Sequence, residues 1–208
     1  MKRSTLIFIS VFCLAFFAGA SSLVNASLID VNCTDDGDGA IVMGTPAWTD
    51  QGTYYDVNVA GIQYDYPAHV LGDFTTDTEL DPTVWLVESV ENQTDFAWTD
   101  YHIDIGMNKT FTITGVIVPL DWTYIITPPT SGQPLPGDPS PGTGWVGYVD
   151  YYIGTGDAIG IGESGDFGLK FSFTGTVAFC TEQIPTPEPT TAVLLSLGGL
   201  ALLRRRKK

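Results

Sequence analysis

The residues of this chain best suited to chemistry are carboxylates, and three of them, Asp35, Asp36 and Asp38, lie close together. Glycines at positions 37 and 39 separate them, which predicts a tight turn rich in oxygen atoms. Calcium takes about six to eight oxygen ligands from flexible turns of this kind. The spacing does not match an EF-hand, because the first and twelfth positions of the best alignment are threonines. We therefore predict an irregular calcium (Ca²⁺) site at these three aspartates, with a solvated acidic turn as the alternative.

Catalytic motifs are scarce in the sequence. His102 and Asp104 occupy one face of a predicted strand, which could orient the imidazole, but no Gly-x-Ser-x-Gly nucleophile turn accompanies them. A glycosidase needs two carboxylates on opposite sides of a cleft. Three glutamates are available for such a pair: Glu88, Glu91 and Glu163. Sequence alone cannot pair them, so we predict a non-enzymatic protein, with a secreted hydrolase as the alternative.

The charge of the chain excludes nucleic acid as a partner. The chain has 24 acidic and 9 basic residues, and its formal net charge is −15. Between positions 27 and 186, 23 acidic residues face only Lys109 and Lys170, a net charge of −21. Sequence-independent nucleic-acid binding needs lysine and arginine to neutralise phosphates, so nucleic acid is excluded as a partner. The same charge favours solubility and attracts divalent cations.

The first 26 residues have the three-part layout of a signal peptide. Lys2 and Arg3 precede an apolar run from position 6 to 18, and small residues that suit cleavage end the segment. The apolar run is shorter than the ~20 residues that a membrane span needs. Residues 1–26 therefore predict export and removal by signal peptidase, with an uncleaved anchor as the alternative.

Two cysteines, Cys33 and Cys180, remain after removal of the signal peptide. An oxidising compartment would permit a bridge between them. Closing a loop of that length stabilises a fold by about 4–5 kcal/mol in the entropic model. A disulfide between Cys33 and Cys180 is predicted, with two free thiols as the alternative.

The C-terminus combines three features in order. Pro187, Glu188 and Pro189 lie in a proline-rich spacer, residues 190–203 form an apolar segment, and Arg204, Arg205 and Arg206 open a basic end. As a helix, the 14 apolar residues would extend about 21 Å. The hydrocarbon core of a bilayer is about 30 Å thick, so the segment suits a temporary transmembrane anchor with its basic end in the cytoplasm.

These three features together resemble the PEP-CTERM sorting tail. The resemblance covers about residues 185–208 and implies processing by an exosortase, a membrane-embedded cysteine transpeptidase that cuts near the Pro-Glu-Pro motif. It also implies transient membrane anchoring followed by transfer to the cell surface or the extracellular matrix, in bacteria that make extracellular polysaccharide. An ordinary tail anchor is the alternative.

Residues 27–184 predict one all-β domain. Period-two alternation of apolar and polar residues marks strands in these segments: 54–66, 84–90, 96–105, 110–118, 145–153 and 167–179. The segment 54–66 predicts two strands joined near Gly61. Residues 128–143 contain six prolines and predict a long loop. The expected architecture is an antiparallel β-sandwich, and a jelly roll or a barrel would fit the same pattern.

Together these features predict an exported, surface-sorted protein of the extracellular matrix or envelope, which contacts polysaccharide with the assistance of calcium. Five tryptophans could supply a platform for sugar rings: Trp48, Trp85, Trp98, Trp122 and Trp145. A dedicated carbohydrate-binding module and a purely structural protein are the alternatives.

Overall fold

The computed structural model describes residues 27–137 and 139–187. The predicted signal peptide lies outside this range, as do the sorting-tail residues after Pro187, among them Glu188, Pro189 and Arg204 to Arg206. Within the described part of the chain, no helix is long and apolar enough to cross a lipid bilayer.

The described residues form twelve strands. In chain order they are β1 (Leu28–Asp35), β2 (Ile41–Met43), β3 (Ala47–Asp50), β4 (Tyr55–Gln63), β5 (Ala68–Thr76), β6 (Thr83–Asn92), β7 (Trp98–Met107), β8 (Phe111–Ile117), β9 (Trp122–Pro134), β10 (Thr143–Ile153), β11 (Ser164–Phe173) and β12 (Val177–Pro187). The all-β prediction is confirmed.

These strands make two sheets. Sheet A has the order β1-β5-β12-β7-β10-β9, and sheet B has the order β2-β4-β6-β11-β8 with β3 paired to β4. The β4–β6 pair is parallel and the other pairs are antiparallel. Alternating residues of both sheets are buried against each other, as in a β-sandwich.

Aromatic rings join the two sheets. Phe74 of sheet A stacks on Phe179 of the same sheet with 4.7 Å between ring centroids, and contacts Phe171 of sheet B at 5.5 Å. Further along, Tyr101 of sheet A stacks on Phe167 of sheet B at 4.1 Å. Each such pair adds about 0.5–1.5 kcal/mol to the stabilisation from burial alone. The core therefore holds the two sheets in a defined relative position.

Two strand predictions need correction. The segment 54–66 is one strand, β4, and Gly61 lies inside it, paired with Met43. Conversely, the segment 167–179 is divided into β11 and β12 by a turn at Gly175, whose φ of +64° suits glycine. The alternation of apolar and polar residues continues through both Gly61 and Gly175. Periodicity alone therefore could not show that the chain turns at Gly175 and not at Gly61.

The proline-rich segment is also shorter as a loop than predicted. Strand β9 continues to Pro134, so only residues 135–142 connect it to β10. Because β9 is the edge strand of sheet A, one of its sides has no hydrogen-bonded neighbour. A proline, which lacks the N–H, is tolerated on such a strand.

The cysteine bridge predicted from the sequence is not formed, and Cys33 and Cys180 are free thiols. Cys33 pairs with Gly72 and Cys180 with Leu71, on opposite sides of β5. Two strand spacings separate them by about 9–10 Å, beyond the roughly 7 Å limit for a disulfide. Because paired residues share a face and successive residues alternate, their side chains also point to opposite faces. Burial raises the pKa of Cys33 to about 12 and that of Cys180 to about 11.

Strand β12 extends beyond the predicted domain boundary at residue 184. Pro185 pairs with Tyr101, and Pro187 pairs with Trp98 of β7. The first residues of the proposed sorting tail therefore belong to sheet A. Pairing of β12 with β5 ends at Gln183, so these prolines have a sheet neighbour on one side only.

Candidate functional site: a histidine and carboxylate cluster on sheet A

Strand register brings three ionisable residues into one row across sheet A. Glu182 of β12 is directly paired with His69 of β5. On the other side of β5, Asp35 ends β1 paired with Val70, so Asp36 follows beside His69. Gln183 and Ala68 face the core, which places His69 and Glu182 on the outer face. The row joins residues that are 33 and 113 positions apart in the chain.

His69 is held on both sides. Its Nδ1 lies 3.1 Å from a carboxylate oxygen of Asp36, and its Nε2 lies 3.0 Å from a carboxylate oxygen of Glu182. Although it is on the outer face, His69 is only 3% exposed. Asp38 completes the group, because ligand atoms of Asp36, Asp38 and His69 all lie within 4.8 Å of one another. A groove of about 260 Å³ opens onto His69 and Asp38 between residues 38–40 and 65–67.

The acidic turn is stabilised by its own backbone. Asp35 accepts a hydrogen bond from the N–H of Gly37, Asp36 from that of Asp38, and Asp38 from that of Ala40, at 2.7–3.1 Å. These are Asx turns, which compact a loop without any ligand. Desolvation acts to raise the pKa of Asp36, but hydrogen bonds from Asp38 and His69 outweigh it and the pKa lies below its ordinary value.

Of the three aspartates in the predicted calcium site, the structure brings two together. Asp36 and Asp38 join His69, while the Asp35 carboxylate is directed to the backbone of Gly37 and Met43. The calcium site itself stays a prediction, and its ligand set now includes a ring nitrogen that calcium does not favour.

The second histidine is arranged similarly on the same face. Nδ1 of His102 lies 2.7 Å from Asp150 on β10, and its Nε2 lies 3.3 Å from Asp104. The hydrogen bond to Asp104, supported by the one to Asp150 and opposed by desolvation, raises the pKa of His102 to about 9. The imidazole is therefore charged at neutral pH, and the arrangement is a cross-strand ion pair beside a groove of about 380 Å³.

Exposed aromatic residues border the His69 cluster. Tyr64 and Tyr66 are 49% and 47% exposed, and with Asp65, Gln93 and Asp95 they line a groove of about 410 Å³. Tyr66 packs edge-to-face against a phenylalanine, which fixes its ring. Asp65 and Tyr66 also line the groove at His69, so the two grooves are adjacent. The groove thus combines exposed aromatic rings with carboxylate and amide groups, a composition found in ligand-binding sites.

The tryptophans predicted as a sugar platform do not line the groove at Tyr64 and Tyr66. Trp98 and Trp122 are buried in the core, and Trp85 lies beneath the ammonium of Lys170 at 5.4 Å. Trp48 is exposed on β3 and contacts Tyr55. The structure does not gather these five residues on one surface of the described chain. Tyr64 and Tyr66 are the exposed aromatic rings beside the His69 cluster.

A further acidic group is buried between the sheets. Glu88 of β6 is 2% exposed and accepts a hydrogen bond from Nε2 of Gln183. Oε1 of Gln183 lies 2.6 Å from the hydroxyl of Tyr101, which also lies 2.7 Å from Oε1 of Gln63. Desolvation raises the pKa of Glu88 to about 7, partly offset by the bond from Gln183. Glu88 is thus part of a core network and does not line a cleft.

The remaining predicted acids are used in local structure. Glu91 accepts a hydrogen bond from Gln93, and Glu163 accepts one from the N–H of Gly160. Glu91 and Glu163 therefore have separate hydrogen-bond partners, and Glu88 is buried in the core. The hydrolase alternative gains no support from them.

His69 and Glu182 are the site residues that sequence reasoning missed. Nothing in the local pattern around either residue relates it to the acidic turn. A partial signal is present in 68–70, where a histidine lies between two apolar residues at the start of a strand. Only the pairing of β1, β5 and β12 reveals their role.

Comparison of the chain with protein-family models, with curated proteins and with solved structures finds no match.

Proposed function

We propose that this is an exported, non-enzymatic protein of the extracellular matrix or envelope that binds polysaccharide through the groove at Tyr64 and Tyr66. The observation that carries the proposal is the pair of half-exposed tyrosine rings beside Asp65, Gln93 and Asp95. Export and sorting rest on the predicted signal peptide and on the resemblance of the C-terminus to the PEP-CTERM tail. Exosortase and signal peptidase are the proposed processing partners.

The charge of the domain limits the polysaccharide that it can bind. With 23 acidic residues against two basic ones between positions 27 and 186, the surface repels an acidic polymer unless cations lie between them. A neutral polysaccharide is free of that repulsion and can stack on tyrosine rings while its hydroxyls bond to carboxylates and amides. We therefore expect cation-independent retention on neutral polymers and calcium-dependent retention on acidic ones.

Replacing Tyr66 with alanine tests the groove. Loss of a binding ring is expected to weaken retention on extracellular polysaccharide from the producing cells about tenfold, which corresponds to about 1.4 kcal/mol. The measurement is affinity electrophoresis or retention on the immobilised polymer, with calcium and then with chelator. Tyr124→Ala is the matched control, because Tyr124 is 42% exposed but lies on β9, away from the groove. Equal retention of both variants and the native protein would remove the groove from the proposal.

Processing of the tail has its own test. If an exosortase cuts near Pro187 to Pro189, the intact mass of the protein released at the surface lacks the residues after that motif. Replacing Pro187 and Glu188 with alanine is expected to leave the full tail in place and to keep the protein in the membrane fraction. Release of a full-length chain by native cells would exclude exosortase processing and would leave the polysaccharide test unaffected.

A further inference from the structure

The hydrogen-bonding arrangement of His69 is incomplete for a neutral imidazole. Such a ring carries one N–H, yet both of its nitrogens lie about 3 Å from carboxylate oxygens of Asp36 and Glu182. If Nε2 donates to Glu182, the lone pair of Nδ1 faces the carboxylate of Asp36. Two lone pairs at this distance repel unless a cation lies between them, and that cation is either a proton or a metal ion.

We propose that Asp36, Asp38 and His69 form a binding site for a divalent transition-metal ion of the Zn²⁺ class, with Nδ1 of His69 as the nitrogen ligand. The proposal is independent of polysaccharide binding. Imidazole nitrogen together with carboxylate oxygen suits Zn²⁺ and its neighbours in the first transition row, whereas calcium takes oxygen ligands. The burial of His69 at 3% exposure removes competing water from the nitrogen side.

Glu182 would orient the histidine ligand without binding the metal itself. A metal-bound histidine commonly donates its second N–H to a carboxylate, which sets the tautomer and the ring orientation. The 3.0 Å contact between Nε2 and Glu182 supplies this bond, and it leaves Nδ1 directed at Asp36. Because Glu182 is on β12 and His69 on β5, sheet pairing holds the ring in place before any ion arrives.

The geometry needs a modest adjustment. Ligand atoms at about 2.0–2.2 Å from a tetrahedral ion are about 3.3–3.6 Å apart. Nδ1 of His69 already lies 3.1 Å from Asp36, and the three ligand atoms lie within 4.8 Å of one another, so the turn must close by at most about 1.5 Å. Asp36 and Asp38 are on an exposed turn, whereas His69 is on a strand, so the turn is the part that moves. The groove of about 260 Å³ at Asp38 and His69 gives an ion access.

Titration of the purified full chain, stripped with chelator, with Zn²⁺ and separately with Ca²⁺ tests the site. We expect one Zn²⁺ per chain by calorimetry, with little heat from Ca²⁺. Imidazole ¹⁵N spectra should show the Nδ1 resonance of His69 moving on Zn²⁺ addition while its Nε2 stays protonated. His102, which lies between Asp104 and Asp150, is the internal control and its resonances should not change.

Two matched variants locate the ligands. Asp38→Asn keeps the oxygen that accepts from Ala40 but removes a charged ligand, so Zn²⁺ affinity should fall by at least about tenfold. Asp35→Asn makes the same change to the neighbouring Asx turn, outside the cluster, and should leave the affinity unchanged. Absence of Zn²⁺ binding, equal effects of both variants, or Zn²⁺ binding without a change at His69 would each overturn the proposal. If both ring nitrogens of His69 stay protonated throughout the titration, the cation between Asp36 and His69 is a proton, and the proposal is wrong.

Discussion

Replacing Glu88 with glutamine is expected to stabilise the protein at pH 8 and to have almost no effect on its stability at pH 4. The pKa of Glu88 is about 7 in the folded protein, above the ordinary value of 4.5. Below the unfolded pKa both states are protonated and the group has no effect. As pH rises through 4.5 the unfolded chain releases the proton first, so the folded state is destabilised until both states are ionised above pH 7. The full cost is about 3 kcal/mol.

Glutamine avoids this cost because it has no charge to bury, and its carbonyl can still accept the hydrogen bond from Gln183. Removing about 3 kcal/mol corresponds to roughly 6–12 °C in melting temperature for a domain of this size. The other titratable groups near Glu88 are Tyr101, Tyr151 and Cys33, whose pKa values are raised first by burial and then by its charge. These three groups stay neutral between pH 4 and pH 8, so they do not change the direction of the expected effect on stability.

Thermal unfolding of native and variant protein at both pH values measures the effect. Glu91→Gln is the control, because Glu91 is on the same strand but faces away from the core. A stabilisation of equal size at pH 4 and pH 8, or a loss of stability at pH 8, would show that Glu88 is not the buried acid described above.

Replacing Gly72 with alanine is expected to destabilise the protein by about 3 kcal/mol or more. A methyl group at this position would overlap the carbonyl oxygen of Asn32 and the ring of Phe179. The first is backbone of the paired strand β1, and the ring is stacked on Phe74 in the core, so neither can move without breaking other contacts. Glycine is therefore required because Phe179 occupies the space that a side chain would need.

Gly61→Ala is the matched control for this substitution. Gly61 is also inside a strand, but the nearest atoms to an added methyl are the flexible ends of Met43 and Ile41, at 3.1 and 3.3 Å. Its effect on stability should stay within about 1 kcal/mol in either direction, because alanine is favoured over glycine in a strand by about 0.5–1 kcal/mol and the two close contacts oppose that gain. Denaturant unfolding compares the two variants. A loss of folded protein for Gly72→Ala alone also meets the expectation, whereas equal midpoints would contradict it.

Local sequence pattern was sufficient for the class of fold and for the faces of several strands. In the segment 96–105, alternation by itself places Tyr101, Ile103 and Ile105 on one face of a strand, and all three are buried. Burial of one face of a strand imposes period two on its own residues, so the signal is contained in a short window. For the same reason the acidic turn at 35–39 was predicted correctly as a turn, because glycine and aspartate act on their own backbone.

Proline and cysteine show where local reasoning was insufficient. Prolines exclude a central strand, but whether a strand is central or at an edge depends on sheet order, and β9 proved to be at the edge. The two cysteines are near the ends of the domain in sequence, but β5 lies between their strands. Both questions concern which strands are neighbours, and a short window of sequence contains no information on that.

The sequence by itself determined that the described chain is built from alternating strands, that its surface is strongly acidic, and that carboxylates crowd the turn at 35–38. Tertiary structure alone decided which of these groups meet. Asp36, His69 and Glu182 are joined by the register of β1, β5 and β12, and Glu88 meets Gln183 because sheet B packs on sheet A. The physical reason is that backbone preference and periodicity act over a few residues. The contacts among these groups depend instead on the packing and pairing of strands, and the pairing of His69 with Glu182 spans 113 positions.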